Sequence, residues 1–336
     1  MHAWYATLFC RSHQAFFLSE KMPVIYNKPF LDETQLLQFL KSKQLPILDE
    51  EKAKNILKNI SYYRFKSYLH PFKDDKTKIF DGSKTFEDIE KLYRFDDELR
   101  DILFTIIGRI EIKLRSKLNY IVTKHTNDPF WYLNQNLFID ISKHNDLLLK
   151  INDSFFHCKD EYAVHYKNKY INDKSQQYSD LPPFWIVAEV IMFGELYNIY
   201  KNINKSQFVL NGKNLLDNLA KEFGAKNLAE LNKWLIFIKV IRNRCAHHSR
   251  VWNTNYFAPN GIYNSDLRFH RLKIRPNNYN RIYSFFAILN IMVKALSLDI
   301  NIKNEIKNLM VKYPIFDEMK LSSGFPINWK DDSFWT

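Results

Sequence analysis

The chain has 336 residues, 46% of them hydrophobic, which is enough to bury a substantial core and excludes a disordered polypeptide. Only 7 Gly and 11 Pro stand against many Leu, Ile, Lys and Asn, which disfavours a turn-rich β architecture and points to an all-α fold. A net charge of +12 and a pI near 9.3 point to a polyanionic partner, with solubility as the plainer use of the same lysines.

Three scattered cysteines, Cys10, Cys158 and Cys245, form no C-x-x-C. That excludes a disulfide framework and a zinc knuckle, and it argues for a reducing, cytoplasmic setting with no metal and no cofactor. No window approaches the roughly 20 apolar residues that span a bilayer, so no membrane is expected as a partner. Residues 1–21 lack a basic region before their short apolar run and make a poor signal peptide. They read as a disordered lead or a misread start.

From Asp32 the periodicity is helical. Asp32 is placed to cap a first helix with Leu36, Leu37 and Leu40 on one side, ending near Pro46. Asp49 is placed to cap a second, with Ala53, Ile56, Leu57 and Ile60 as its apolar stripe. The segment Ser61 to Phe72 follows, rich in Tyr62, Tyr63, Arg64 and Tyr68. Core packing is the favoured use of those tyrosines, base stacking the sharper one, and Arg64 is a candidate RNA contact. A polar gap closes this N-terminal helical region, residues 22–80.

The second region, residues 81–300, opens on Thr85-Phe86-Glu87-Asp88, a capping box. Leu92, Leu99, Leu103, Ile106, Ile110, Leu114, Leu118 and Ile121 then recur three or four apart, giving one long amphipathic helix or two in line, ended by Asn127-Asp128-Pro129. Glu111 and Arg115 are spaced to pair. Arg109, Lys113 and Lys117 make a basic stripe that is either a solvated face or a phosphate track. Phe130-Trp131-Tyr132-Leu133 and a helix around Leu147–Phe156 continue the core. The polar stretch Lys159 to Asp180 reads as a helix fringe and a mobile loop. Beyond it, Trp185, Ala188, Met192, Leu196 and Ile199 form an expected buried stripe, with Gly194 marking close packing and Glu189 undecided between buried acid and surface group.

A helix from Asn214 to about Phe223 precedes one from Leu228 to His247. Pro259-Asn260-Gly261 makes a turn. Arg268, His270, Arg271, Lys273 and Arg275 then crowd together, and of these Arg268, Arg271, Lys273 and Arg275 are candidate RNA contacts. A closing helix from Tyr279 to Leu298 and a shorter amphipathic one follow. Residues 301–336 form a C-terminal region whose tail, Asp331 to Thr336, is expected to be loose.

The densest chemistry lies at the end of the Leu228 helix, in Arg242-Asn243-Arg244-Cys245-Ala246-His247-His248-Ser249-Arg250-Val251-Trp252-Asn253. Asn243 and His247 are four apart, so they share a helix face and the amide can orient the imidazole. Arg242 and His247 are five apart and diverge by about 140°. Histidine titrates nearest neutrality and can take a proton from a ribose 2′-hydroxyl or give one to a leaving oxygen. A guanidinium forks onto phosphate oxygens and stabilises charge gathering in the transition state. Together these fit RNA cleavage without metal. The plainer alternative is a helix C-terminus that draws cations to its dipole.

The string from Arg242 resembles the Arg-x(4–6)-His signature of HEPN ribonucleases and the hallmark of the Abi-like family, bacterial abortive-infection proteins of the AbiD/AbiF type. Tyr26-Asn27-Lys28-Pro29, the Tyr62 to Phe72 segment, Arg109-Ile110-Glu111 with Arg115, and Pro182, Trp185, Glu189, Phe193, Gly194 and Leu196 are similar to that family's other segments. The resemblance runs from about Met22 to Leu298. It implies an all-α, HEPN-like helical bundle with an N-terminal helical extension, and a phage-defence toxin cutting RNA.

On that resemblance His247 is the general acid/base, Arg242 the phosphate and transition-state binder and Asn243 the orienter of His247. His248 and Arg250 are secondary, and Arg244, Arg109 and Lys113 are further RNA contacts. The divergence of Arg242 from His247 implies a homodimer that faces two motifs together. The rival expectation is a non-catalytic defence protein whose basic surface grips a small structured noncoding RNA.

Overall fold

The computed structural model describes residues 25–171, 181–257, 267–269, 272 and 274–335. The expectations for residues 1–21, for the loop at 172–180, for the turn at Pro259-Asn260-Gly261, and for His270, Arg271 and Lys273 lie outside them. The described residues are all-α, save for one two-residue hairpin.

Two short helices, α1 (Glu33–Ser42) and α2 (Glu50–Ile60), begin where their caps demand. Asp32 accepts the Gln35 N–H at 2.8 Å while the Gln35 side chain accepts the Asp32 N–H, and Asp49 accepts the Lys52 N–H at 3.0 Å. At Ser61 the backbone turns to φ 68°, and α3 (Tyr62–Leu69) leaves in a new direction.

The organising element is α4 (Phe86–Thr126), one unbroken helix of 41 residues and about 60 Å. Thr85 and Asp88 form the expected capping box, and Asn127 ends the helix in the left-handed conformation. Its buried stripe, Leu92, Leu99, Leu103, Ile106, Ile110, Leu114 and Leu118, each side chain stabilising by about 2 kcal/mol, is covered on every side. Glu111 and Arg115 pair as their spacing requires.

Around α4 the chain lays α5 (Ile141–His157), α6 (Glu161–Tyr170), α7 (Phe184–Val190), α8 (Phe193–Asn202), the hairpin β1 (Val209–Leu210) and β2 (Lys213–Asn214), α9 (Leu215–Glu222) and α10 (Leu228–Ala246). After them come α11 (Ile282–Ala295), α12 (Ile302–Lys312) and α13 (Pro314–Met319). Helices α3, α7 to α13 all touch α4, and α10 runs along it. Nearly every residue of α11 is buried, which is how a helix apolar all round has to sit. Gly224 closes α9 at φ 80°, and a Cβ there would meet Ile291 Cγ2 at 2.6 Å, so glycine alone lets α10 turn back onto α11.

Three expectations fail. The stripe from Trp185 to Ile199 is not one helix face: the backbone is extended at Ile191 and Met192, so α7 and α8 are separate. The break rotates Trp185 (49% exposed) and Met192 (62%) out to solvent while Ala188, Leu196 and Ile199 stay buried. The buried acid of this region is Glu195, whose carboxylate accepts the Met192 N–H at 2.8 Å, whereas Glu189 is exposed. Gly194 does not mark close packing, for a Cβ added there would meet no other element nearer than Lys239 Cε at 4.0 Å among the described residues. The tail is not loose either. Trp335 is buried against Tyr283 and Trp329, its indole N–H donating to the Tyr283 hydroxyl at 3.2 Å, because two tryptophans and Phe334 carry too much apolar surface to stay in water. Among the described residues no helix is long and apolar enough to cross a membrane.

Candidate nucleic-acid-processing site

The site is the C-terminal end of α10 and the strand of irregular chain that leaves it. His247 caps the helix, its N–H donating to the Asn243 carbonyl at 3.0 Å. His248 then takes φ 51°; its N–H reaches the Cys245 carbonyl at 3.0 Å and the Ser249 N–H reaches the Arg244 carbonyl at 2.8 Å. This is the Schellman closure that Gly224 gives α9, made here by a histidine in the left-handed region. The outgoing chain is thereby thrown back across α4.

What holds that chain is Asp96, a fully buried carboxylate on α4. It accepts the Trp252 N–H at 2.6 Å, the Val251 N–H at 3.1 Å, the Tyr68 hydroxyl at 2.5 Å and Arg100 Nη1 at 2.7 Å. Burial pushes the Asp96 carboxyl up, while Arg100, Tyr68 and the two amides pull against it. Burial and the Asp96 charge push the Tyr68 hydroxyl up as well, so it remains a donor. Tyr68 and Trp252 lie nearly parallel, 6.4 Å between ring centres. Two arginines complete the join between α3 and the segment that leaves α10: Arg64 donates to the His248 carbonyl, and Arg250 Nη1 to the Ser67 carbonyl at 2.5 Å.

The candidates therefore divide. Asn243, His247 and His248 are exposed. Arg242 is half-buried with its guanidinium 5.6 Å over the Phe104 ring of α4. Asn243 and His247 meet only through the backbone; no amide–imidazole hydrogen bond joins their side chains among the described residues. Arg244 lies over the Tyr256 ring at 5.7 Å, and Arg64 and Arg250 are tied to carbonyls. Arg109 and Lys113 stand exposed on α4, while Lys117 pairs with Glu222. Arg268 spends its donors on the Gly224 carbonyl (2.9 Å) and Glu230 (2.6 Å), whereas Arg275 is exposed. Burial and the nearby Asp96 charge push the Cys245 thiol up to about 12, so it is neither a thiolate nucleophile nor a ready ligand at neutral pH.

Asp96 and Arg100 were not among the sequence candidates. Their signal was present: two charges four apart on the same turns as Leu92, Phe95, Leu99 and Leu103, where an apolar stripe should admit none unless they pair. Of the three tyrosines expected in the core, Tyr68 is buried there and Tyr62 is half-buried, but Tyr63 is not: it faces away from the packed side of α3 and is 85% exposed.

An all-α protein built round one long helix, with an accessible Arg-Asn-His cluster at a helix end braced by a buried aspartate, is the class defined here. The chain belongs to the Abi-like protein family: residues 55–253, more than half its length, match that family, and they include the Tyr68, Asp96, Arg242 and His247 positions. Membership points to abortive-infection defence against phage. No curated protein and no solved structure matches the chain.

Proposed function

We propose that the protein acts in phage defence as a metal-independent endoribonuclease whose active unit is a homodimer. In this reading a histidine removes the proton of a ribose 2′-hydroxyl, whose oxygen attacks the adjacent phosphorus. The P–O5′ bond breaks and the leaving oxygen takes a proton from a second histidine. Arg242 stabilises the charge on the phosphoryl oxygens. The products are a 2′,3′-cyclic phosphate and a 5′-hydroxyl, and no cofactor enters.

The observation that carries the reading is that the fold leaves Asn243, His247 and His248 in solvent on a rigidly braced helix end. Among the described residues these imidazoles hold no hydrogen bond, while Arg64 and Arg250 beside them each hold a backbone carbonyl. The dimer is supported by the face on which they lie. Ile236, Val240, Asn243 and His247 follow one another at four, three and four residues, so two half-exposed apolar side chains lead along α10 directly to the candidate base. A second copy seated on Ile236 and Val240 brings two motifs together and supplies the second histidine.

The test is incubation of the purified protein with cellular RNA in EDTA, with mapping of the new ends. Cyclic phosphate ends that vanish with His247→Ala carry the reading. Cleavage that stops in EDTA and returns with Mg²⁺ ends it. Salt-sensitive RNA binding with no cleavage by the wild-type dimer transfers it to the rival, an RNA-gripping defence protein.

A further inference from the structure

Tyr63, Lys66 and His70 fall three and four residues apart, on one face of α3 and the short turn that extends it. With Ser67, Pro71, Arg250 and Asn253 they line an open cleft of about 490 Å³. It adjoins the motif, since Arg64 in the same helix turn holds the His248 carbonyl and Arg250 is two residues beyond His248. Neither Arg242 nor His247 lines it.

The charges here are unbalanced. The half-buried or buried arginines Arg100, Arg115 and Arg268 each rest on a carboxylate, and Arg242 and Arg244 rest on rings. Among the described residues Arg250 has only the Ser67 carbonyl and Arg281, close by, only Asn253 Oδ1 at 3.1 Å. Arg281 Nε is buried with no hydrogen-bond partner among the described residues. Burial, and after it the neighbouring Arg250 charge, lowers the Arg281 pKa. Lys66 has no acidic partner among the described residues. A carboxylate at the rim, Asp75, lies 3.9 Å from His70 and is shared with Lys78 at 4.0 Å. Because Asn253 Oδ1 accepts from Arg281, its amide N–H₂ remains as a donor. A cleft of donors and cations without a counter-charge fits an anion with several acceptor oxygens. Tyr63, almost wholly exposed at the rim, offers a flat ring where a base could stack.

We infer that this cleft binds one nucleotide of a single-stranded RNA, with Arg250, Lys66 and Asn253 facing its phosphate and Tyr63 stacking on its base. The inference takes its ligand from the RNA-directed reading above and adds a site outside the Arg242–His247 pair. It places the strand's path over α3, so that a chain lying in the cleft passes His248 before it reaches His247.

The test uses full-length protein carrying His247→Ala, so that nothing is cut, and a short 5′-labelled single-stranded RNA followed by fluorescence anisotropy. Tyr63 and Lys66 are exposed, so Tyr63→Ala with Lys66→Gln keeps the fold, which a thermal melt verifies. The pair should weaken binding by roughly tenfold or more, the loss of one base stack and one phosphate contact. The log–log salt slope should fall by about 0.7. UMP added as competitor separates the two sources of a nucleotide phosphate, and the strand should bind far more tightly. Affinity and slope unchanged in the double variant overturn the cleft while leaving the ribonuclease reading alone. UMP binding as well as the strand overturns the strand assignment. Cleft-dependent binding by a wild-type protein that never cuts RNA upholds the cleft and sinks the ribonuclease.

Discussion

The Asp96 carboxylate accepts the backbone N–H of Trp252 at 2.6 Å, across 156 residues of sequence, and so fixes the exit of the motif to the central helix. The same carboxylate takes the Tyr68 hydroxyl at 2.5 Å, which makes one buried side chain the meeting point of α3, α4 and the segment that leaves α10. Asp96→Asn should therefore be strongly destabilising. It takes from the buried Arg100 its buried counter-charge and leaves only the half-exposed Asp97 beside it among the described residues, a loss of about 3 kcal/mol, read by urea denaturation. A drop under 1 kcal/mol would show that the network is dispensable.

Arg242→Ala and His247→Ala should each abolish RNA cleavage and phage protection. His247 is exposed and its side chain holds no hydrogen bond among the described residues, so its removal should change stability by no more than about 0.5 kcal/mol. The double variant should be little worse than either single one, because members of one catalytic unit are not additive. A folded His247→Ala protein with full cleavage would end the assignment.

His248→Gly separates folding from function at one position. The left-handed φ of 51° costs a histidine something that glycine does not incur, so stability should rise by up to about 1 kcal/mol. If the imidazole assists catalysis, activity falls in the same variant. Lower stability in the glycine variant would mean that the His248 side chain contributes to the fold.

The α10 face is tested by charge. Val240→Asp should give a folded monomer by light scattering, with cleavage lost. Mixing Arg242→Ala with His247→Ala protein should leave cleavage lost, since the mixed dimer holds a single His247 where the proposed step uses two. A monomeric Val240→Asp protein with wild-type cleavage rules the composite site out.

Alkali should weaken the fold in a defined direction. Burial pushes Cys245 up to about 12 from 9.0 and Tyr197 up to about 12 from 10.0. Above pH ~9 the unfolded chain releases these protons while the native protein keeps them, so native stability is complete below that pH and falls as pH rises toward 12. Urea midpoints at pH 8 and pH 10.5 should show the loss. An unchanged midpoint would mean that these groups are not shielded.

The local structure was legible because local physics sets it. Asp32, Asp49 and Thr85 announced their helices through capping geometry that spans three residues, and the spacing of Leu99 to Leu118 announced a long helix with one wet face. The Glu111–Arg115 pair followed from a four-residue step. The Met192 break did not, for Gly194 two residues on falls inside a pattern that stays helical on both sides; the break shows only in the packing, where α7 and α8 both lie on α4 and α5 and α8 also meets α10. The Trp335 tail looked polar by its aspartates, yet its destination beside Tyr283 lies 52 residues away and leaves no trace in local composition.

The candidate site divides along the same line. Arg242, Asn243, His247 and their spacing are properties of the sequence, and so is the divergence of Arg242 from His247, which helical geometry alone imposes. Which cations are free was decided by the tertiary structure. Arg64 and Arg250 are drawn to carbonyls, Arg244 to a ring and Arg268 to Glu230, while Arg109, Lys113 and the two histidines are left to solvent. A charged side chain goes to whatever partner the fold brings within about 4 Å, and Asp96, Tyr68 and Trp252 come within that range only once α3, α4 and the end of α10 have packed together.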